Sequence, residues 1–209
     1  MSDFLSHLFA VLCGQNPSHL WAPGGFVMPC CQRCTGLYAG ALAAMVLHAW
    51  IRPRASRFFL TVHGFFLLQM IPCGLYWVPQ SPVIRTVSGI LGGFGIVAFL
   101  WVAPGLLLLK TRNNRWGEVW TYSCGLALTA AVVPWVAMST KSMGIMLSWV
   151  VFVGALSLAA LTLANVKACW KTVAWAFRIP RSRPSLKPLL NRPDVLDPKL
   201  SINQSSWFR

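Results

Sequence analysis

Carboxylates are nearly missing from this chain: its 209 residues hold only Asp3, Glu118, Asp194 and Asp197. None lies inside an apolar run, so there is neither a paired-carboxylate acid/base set nor the intramembrane carboxylates that usually mark a transport path. Glycine-rich phosphate loops and hydrolytic Ser/His/Asp arrangements are lacking as well. There is no internal repeat. Residues 4–13 have no basic flank and no small-residue cleavage site after them, so a removable signal peptide is not expected. Charged residues of either sign make up only 11% of the chain, too few for an ordinary soluble surface.

What is present is apolar. Hydrophobic residues are 56% of the chain and the mean hydropathy is +0.59. They fall into five blocks, each near the ~20 residues that cross ~30 Å of hydrocarbon as a helix. The expected spans are Cys34 to Ile51, Phe58 to Val78, Thr86 to Leu109, Val119 to Met138 and Ile145 to Ala164. Pro72, Pro104 and Pro134 lie within them and predict kinks, since neighbouring helices can satisfy the freed carbonyls. Residues 4–13 are too short to span and predict an interfacial or re-entrant helix. Residues 14–29, with Gly14, Pro17, Pro23, Gly24, Gly25 and Pro29, predict a compact loop with Trp21 at headgroup level. The fold class is therefore an all-α, polytopic transmembrane bundle of about five spans. Residues 1–33 form an extracytoplasmic or interfacial segment, 34–165 the bundle, and 166–209 a basic cytoplasmic tail.

Orientation follows from the basic residues. Of 18 Lys and Arg, only Arg33, Arg85 and Lys141 fall on the side of the N-terminus; the rest follow spans one, three and five. By the positive-inside rule the N-terminus is extracytoplasmic and the C-terminus cytoplasmic, in a cytoplasmic (inner) membrane. The formal charge of +14 is thus topological, directed at the lipid bilayer and its anionic headgroups and not at nucleic acid. Val166 to Phe177 reads either as a basic amphipathic helix on that surface or as a continuation of span five. From Pro180 onward the composition predicts disorder.

The one unusual piece of chemistry is Pro29-Cys30-Cys31-Gln32-Arg33-Cys34-Thr35-Gly36-Leu37-Tyr38, preceded by Cys13-Gly14-Gln15. Together these resemble a family of small multi-pass prokaryotic membrane proteins, domain of unknown function 2085. Its pattern is Cys-His-Gln, then Pro-x-Cys-x-Arg-Cys-Thr-Gly-Ile-Tyr opening a transmembrane helix. Cys13, Gln15, Pro29, Cys31, Arg33, Cys34, Thr35, Gly36 and Tyr38 match, whereas Gly14 replaces His and Leu37 replaces Ile. Arg85, Gly89 and Gly93 resemble the family's weaker second motif. The resemblance implies a multi-pass membrane protein with an extracytoplasmic cysteine site, and assigns no reaction.

Cys31 and Cys34 stand at a helix start, where free amides and the helix dipole favour thiolate, and Arg33 adds positive charge. Three readings are open. A soft or borderline metal ion such as zinc would take Cys13, Cys31 and Cys34, with His19 a better fourth ligand than Cys30, the chain neighbour of Cys31. Alternatively Cys31 and Cys34 are the catalytic pair of a membrane thiol-disulfide oxidoreductase, with Cys13 shuttling and a quinone taking the electrons. A structural or lipid-binding accessory subunit with a static disulfide is the third.

Arg33 and Arg85, both at the outer face, are candidates for a lipid or phosphate anion, against the simpler reading of arginines that snorkel to the interface. His48 and His63, at similar depth, are compatible with haem or quinone contact but more simply with hydrogen bonds to neighbouring helices. Gly89, Gly92, Gly93 and Gly95 form a packing surface. Glu118 among basic residues reads as a headgroup-level ion pair, and Cys73, Cys124 and Cys169 as isolated thiols.

Overall fold

The computed structural model describes residues 2–11, 13–51, 53, 57–75, 77, 79–108 and 116–178. Seven α-helices follow in order: α1 Ser2–Ala10, α2 Gln32–Ile51, α3 Arg57–Leu68, α4 Met70–Gly74, α5 Pro82–Leu108, α6 Trp116–Ala137 and α7 Lys141–Arg178. Two 3-10 turns, Pro17–His19 and Pro23–Gly25, interrupt the loop between α1 and α2. The chain divides into two units, Met1–Trp170 and Lys171–Arg209. Of the second, residues 171–178 are described, and they are helical. Among the described residues the extended pairing is limited to one isolated bridge, Leu20 with Cys31.

Four helices, α2, α5, α6 and α7, contain stretches long and apolar enough to cross a membrane. The remaining crossing read from the sequence is divided between α3 and α4. Pro72 is the cause, because it has no N–H for the carbonyl four residues back. Gln69 bridges the break: its backbone stays in the right-handed helical region and its N–H still reaches Phe65 O at 3.0 Å. Its side-chain amide donates to Phe66 O at 3.0 Å and to Ser88 O of α5 at 2.9 Å, anchoring the joint to the bundle. Pro104 and Pro134, by contrast, are carried inside unbroken α5 and α6. Val166 to Phe177 is the last part of α7 and not a separate surface helix, so the boundary drawn at residue 165 falls inside one helix. The Glu118 side chain and the tail from Pro180 lie outside the described residues.

The bundle is built on the crossing of α2 and α5, which makes the most extensive helix contact. Glycine permits it. A Cβ added at Gly36 would strike the Thr86 carbonyl oxygen, one at Gly89 the Arg33 carbonyl oxygen, and one at Gly93 the Leu37 carbonyl oxygen. Ala39, Ala41, Ala44, Ile90, Phe94 and Val97 are buried beside that seam. On the other side of α2, Gly154 of α7 lies against the Tyr38 carbonyl. Trp120, Leu128, Trp135 and Met146 face outward, as lipid-facing positions do. The starts of α2, α5 and α7 lie at one end: Thr86 touches Gly36, and Lys141 touches Gly24 of the loop leading into α2. This is the end at which the cysteines gather.

Candidate metal centre

Two separate pieces of chain bring the thiols together. Cys13 extends α1 by one bond, its N–H reaching Phe9 O at 2.8 Å, and α1 is seated by buried Phe9, whose ring lies 5.6 Å from that of Tyr38. The chain then turns sharply at Gln15, which takes φ 40°, a left-handed conformation costing a non-glycine residue about 1–2 kcal/mol. Its side chain compensates by donating to Ser6 O at 2.7 Å and Pro29 O at 2.8 Å, so one amide joins α1 to the stretch entering the site.

The loop doubles back on itself. Asn16 Oδ1 accepts the Ser18 N–H at 3.1 Å, Met28 N–H donates to Trp21 O at 2.9 Å, and Leu20 pairs with Cys31. Buried Trp21 then fastens the loop to the bundle by donating from Nε1 to Thr86 Oγ1 at 3.1 Å. Gln32 adds a bond from its amide to Leu20 O at 3.4 Å.

Cys31 is the residue at which extended chain becomes helix. Its carbonyl accepts the Thr35 N–H at 2.9 Å and the Thr35 hydroxyl at 3.1 Å, the usual role of an N-cap. Cys34 follows three residues later on the same face. Neighbouring residues in extended chain point to opposite sides, which separates Cys30 from Cys31. Cys30 is fully buried with Sγ 3.3 Å from Thr35 Oγ1.

The sulfurs of Cys13, Cys31 and Cys34 all lie within 4.8 Å of one another. Cys31 N–H also donates to Cys13 Sγ at 3.3 Å. Among the described residues this is the single cluster of three or more such ligands, and the His19 imidazole is not part of it. Cys30 stays outside too. None of the seven cysteines is in a disulfide, so none joins the three.

The electrostatics of the two adjacent cysteines diverge. The Cys31 thiol is lowered to about 5, first because the Cys34 thiol donates to it and further through the amides of Cys34 and Arg33 and the thiol of Cys13, against the cost of burial. Hydrogen-bond donors hold this thiolate, as at a side-chain N-cap. Burial pushes the Cys30 thiol up to about 12. The hydrogen bonds thus favour the thiolate form of Cys31, and burial favours the neutral thiol at Cys30.

The other residues singled out in the sequence lie elsewhere. Arg33 points to α4, donating from Nη2 to Cys73 O at 2.5 Å and Gln80 Oε1 at 2.7 Å. Arg85 donates from Nη1 to Gln32 Oε1 at 3.4 Å. His48 and His63 share an aromatic cluster with Phe59 and Tyr122, as their similar depth implied. His63 Nε2 lies 2.7 Å from the Tyr122 hydroxyl, and His48 Nδ1 lies 2.7 Å from Ala44 O. Hydrogen bonding to neighbouring helices thus accounts for His63. Cys73, Cys124 and Cys169 are outside the thiol cluster.

Sequence reasoning missed the supports of the site: the Gln15 double bond, the Trp21 to Thr86 anchor and the Gln80 partner of Arg33. The family pattern names Gln15, so a signal existed for it. Nothing local pairs Trp21 with a threonine 65 positions away.

Comparison with known proteins agrees with this placement. Residues 13–99 match the family model described as "Predicted membrane protein (DUF2085)". Residues 13–38, which carry the resemblance, lie within the matched stretch, as do the three thiols, Arg33, Arg85 and the α2–α5 crossing. An uncharacterized protein of Methanocaldococcus jannaschii is 23% identical over 107 residues, 48% of this chain and 68% of that protein. No solved structure matches.

Proposed function

From the similarity of residues 13–99 to this predicted-membrane-protein family, we propose that the chain is an integral membrane protein that holds a metal ion such as zinc on Cys13, Cys31 and Cys34 at its extracytoplasmic face. The observation that carries the reading is the convergence of three thiol sulfurs within 4.8 Å from two distant parts of the chain. Thiolates on a tetrahedral zinc stand roughly 3.8 Å apart, given Zn–S bonds of about 2.3 Å, so small rotamer changes close the set. Two features suit thiolate ligation: the anionic Cys31 and the N–H donated to Cys13 Sγ, which lowers the charge a metal must balance. Three protein ligands leave the fourth tetrahedral position to water or an external group.

Orientation in this reading rests on charge. The helix starts that carry the cysteines share their end with few basic residues, and the opposite end and the tail hold most of the 18 Lys and Arg. The membrane is then the cytoplasmic one, with the tail on anionic lipid.

Cobalt(II) substitution tests the reading. Binding to the purified full chain gives intense thiolate-to-cobalt absorption that is abolished in Cys13→Ser and retained in Cys30→Ser. Weak absorption characteristic of oxygen or nitrogen ligands alone contradicts it.

A second reading is favoured by one specific observation, the thiol of Cys34 donating to the Cys31 thiolate. In that reading Cys31 and Cys34 form a disulfide, and their two electrons and two protons pass to a quinone, giving quinol. Cys34→Ser supplied with a disulfide partner then accumulates a mixed disulfide on Cys31, whose thiolate attacks the partner's disulfide and expels its other sulfur as thiolate, whereas a metal centre accumulates none.

A further inference from the structure

We infer that Arg33 and Arg85 together hold a phosphate-bearing anion at the outer end of the α2–α5 crossing, independently of whether the thiols bind metal.

The two arginines belong to one place. The Arg33 carbonyl contacts Gly89, one helical turn beyond Arg85, and Arg85 bonds the side chain of Gln32, the chain neighbour of Arg33. No carboxylate side chain lies among the described residues. What holds the Cys31 thiolate is hydrogen-bond donors, of which Arg33 supplies its backbone amide and not its guanidinium. Among the described residues, then, neither guanidinium meets a counter-charge.

The simpler reading, arginines stretching to the interface, predicts guanidinium groups whose nitrogens are in water. Both side chains are partly exposed, but the structure departs from this reading at one nitrogen of each. The Nε atoms of Arg33 and Arg85 are both buried, and both lack a hydrogen-bond partner. Arg33 is further held inward by Cys73 O and Gln80 Oε1, and Gln80 is itself fixed by donating to Cys73 O at 2.6 Å. Neutral oxygens orient a guanidinium without neutralising it. A half-buried cation whose buried Nε donor is unfilled favours an anion, and planar guanidinium donors suit phosphate oxygens in particular. The starts of α2 and α5 add the positive ends of two helix dipoles on the same side.

A phosphate group at this depth comes either from a lipid headgroup or from a free phosphate compound, and the test separates them. The full chain in neutral detergent is titrated with dioleoylphosphatidylglycerol, dioleoylphosphatidylcholine or inorganic phosphate, and bound molecules are counted by native mass spectrometry. Phosphatidylglycerol is expected to bind in preference to phosphatidylcholine, with inorganic phosphate competing only weakly. Strong binding of inorganic phosphate instead assigns the site to a free phosphate compound. Arg33→Gln and Arg85→Gln are each expected to weaken binding roughly tenfold or more, as loss of a charge-assisted donor does. Lys141→Gln, an exposed basic residue of the same end, is expected to have no such effect. Arg33 also bonds α4 and its variant can lose the fold; Arg85→Gln, which gives up one long bond, then carries the test. Unchanged binding in a folded Arg85→Gln protein, or no preference for any of the three probes, overturns the inference. Metal content measured on the same samples keeps this outcome separate from that of the thiol site.

Discussion

Cys31 caps the helix that carries Cys34. Its carbonyl accepts the Thr35 N–H at 2.9 Å, and its sulfur takes the proton of the Cys34 thiol as a hydrogen bond along with the amides of Arg33 and Cys34. The helix start thereby stabilises the very sulfur that a metal ion or a disulfide partner would require as thiolate. Cys13 arrives from α1 to complete the group. The fold brings in this third thiol through the Gln15 and Trp21 attachments.

The first prediction concerns pH. Because the Cys31 thiol is lowered from an ordinary value of 9.0 to about 5, it remains thiolate as pH falls from 9 and is protonated only near 5. Alkylation of metal-free protein by iodoacetamide, read at Cys31 by peptide mass spectrometry, should level off above about pH 6 and drop below about pH 5. An ordinary thiol instead gains about tenfold per pH unit up to its own pKa. A profile still rising between pH 7 and 9 contradicts the hydrogen-bond arrangement described for Cys31.

The second concerns ligand membership. His19→Ala should retain bound metal, since the imidazole lies outside the sulfur group, and Cys30→Ser should retain it because that thiol faces Thr35. Cys34→Ser should lose it. Isothermal titration with zinc distinguishes these cases, and metal loss in His19→Ala shows that a fourth protein ligand joins on binding.

The third concerns the helix crossing. Gly89→Ala forces a methyl group into the Arg33 carbonyl, and such overpacking costs about 1–3 kcal/mol. Gly64→Ala meets nothing within 4 Å and should be neutral or stabilising by about 0.5–1 kcal/mol, the usual helix gain over glycine. Detergent thermal unfolding of the two variants should differ in sign or nearly so; equal effects contradict the close approach of α2 and α5.

The fourth concerns the loop anchor. Thr86→Val keeps the shape of the side chain but removes the acceptor for Trp21 Nε1, stranding a buried donor at a cost of about 1–3 kcal/mol. Loosening of the loop should also weaken zinc binding by about 10–100-fold, as changes to outer-shell supports typically do. Unchanged zinc affinity together with unchanged unfolding temperature contradicts the anchor.

Much of the architecture was legible from residues because lipid imposes a simple rule: a crossing helix needs about 20 apolar residues, and α2, α5, α6 and α7 announce themselves that way. Pro72 was legible as a perturbation, although it divides α3 from α4 where a kink was expected. Cys31 and Cys34 could be paired from their spacing alone, since three residues at a helix start return to one face. Cys30 lies apart from the sulfur group, as neighbouring residues in extended chain diverge. His19 was another matter: residue type made it the natural fourth ligand, but where a loop side chain goes depends on long-range packing that residue type does not encode. The same holds for Trp21 and Thr86, for Arg33 and Gln80, and for His63 and Tyr122, pairs that exist only once the helices meet.

The most direct test of the central claim is metal content per chain. Full-length protein purified in mild detergent without chelator is measured by elemental mass spectrometry beside Cys31→Ser. A metal-thiolate centre predicts close to one metal ion per chain, lost in the variant. Wild-type protein without metal, or a variant that keeps it, contradicts the claim.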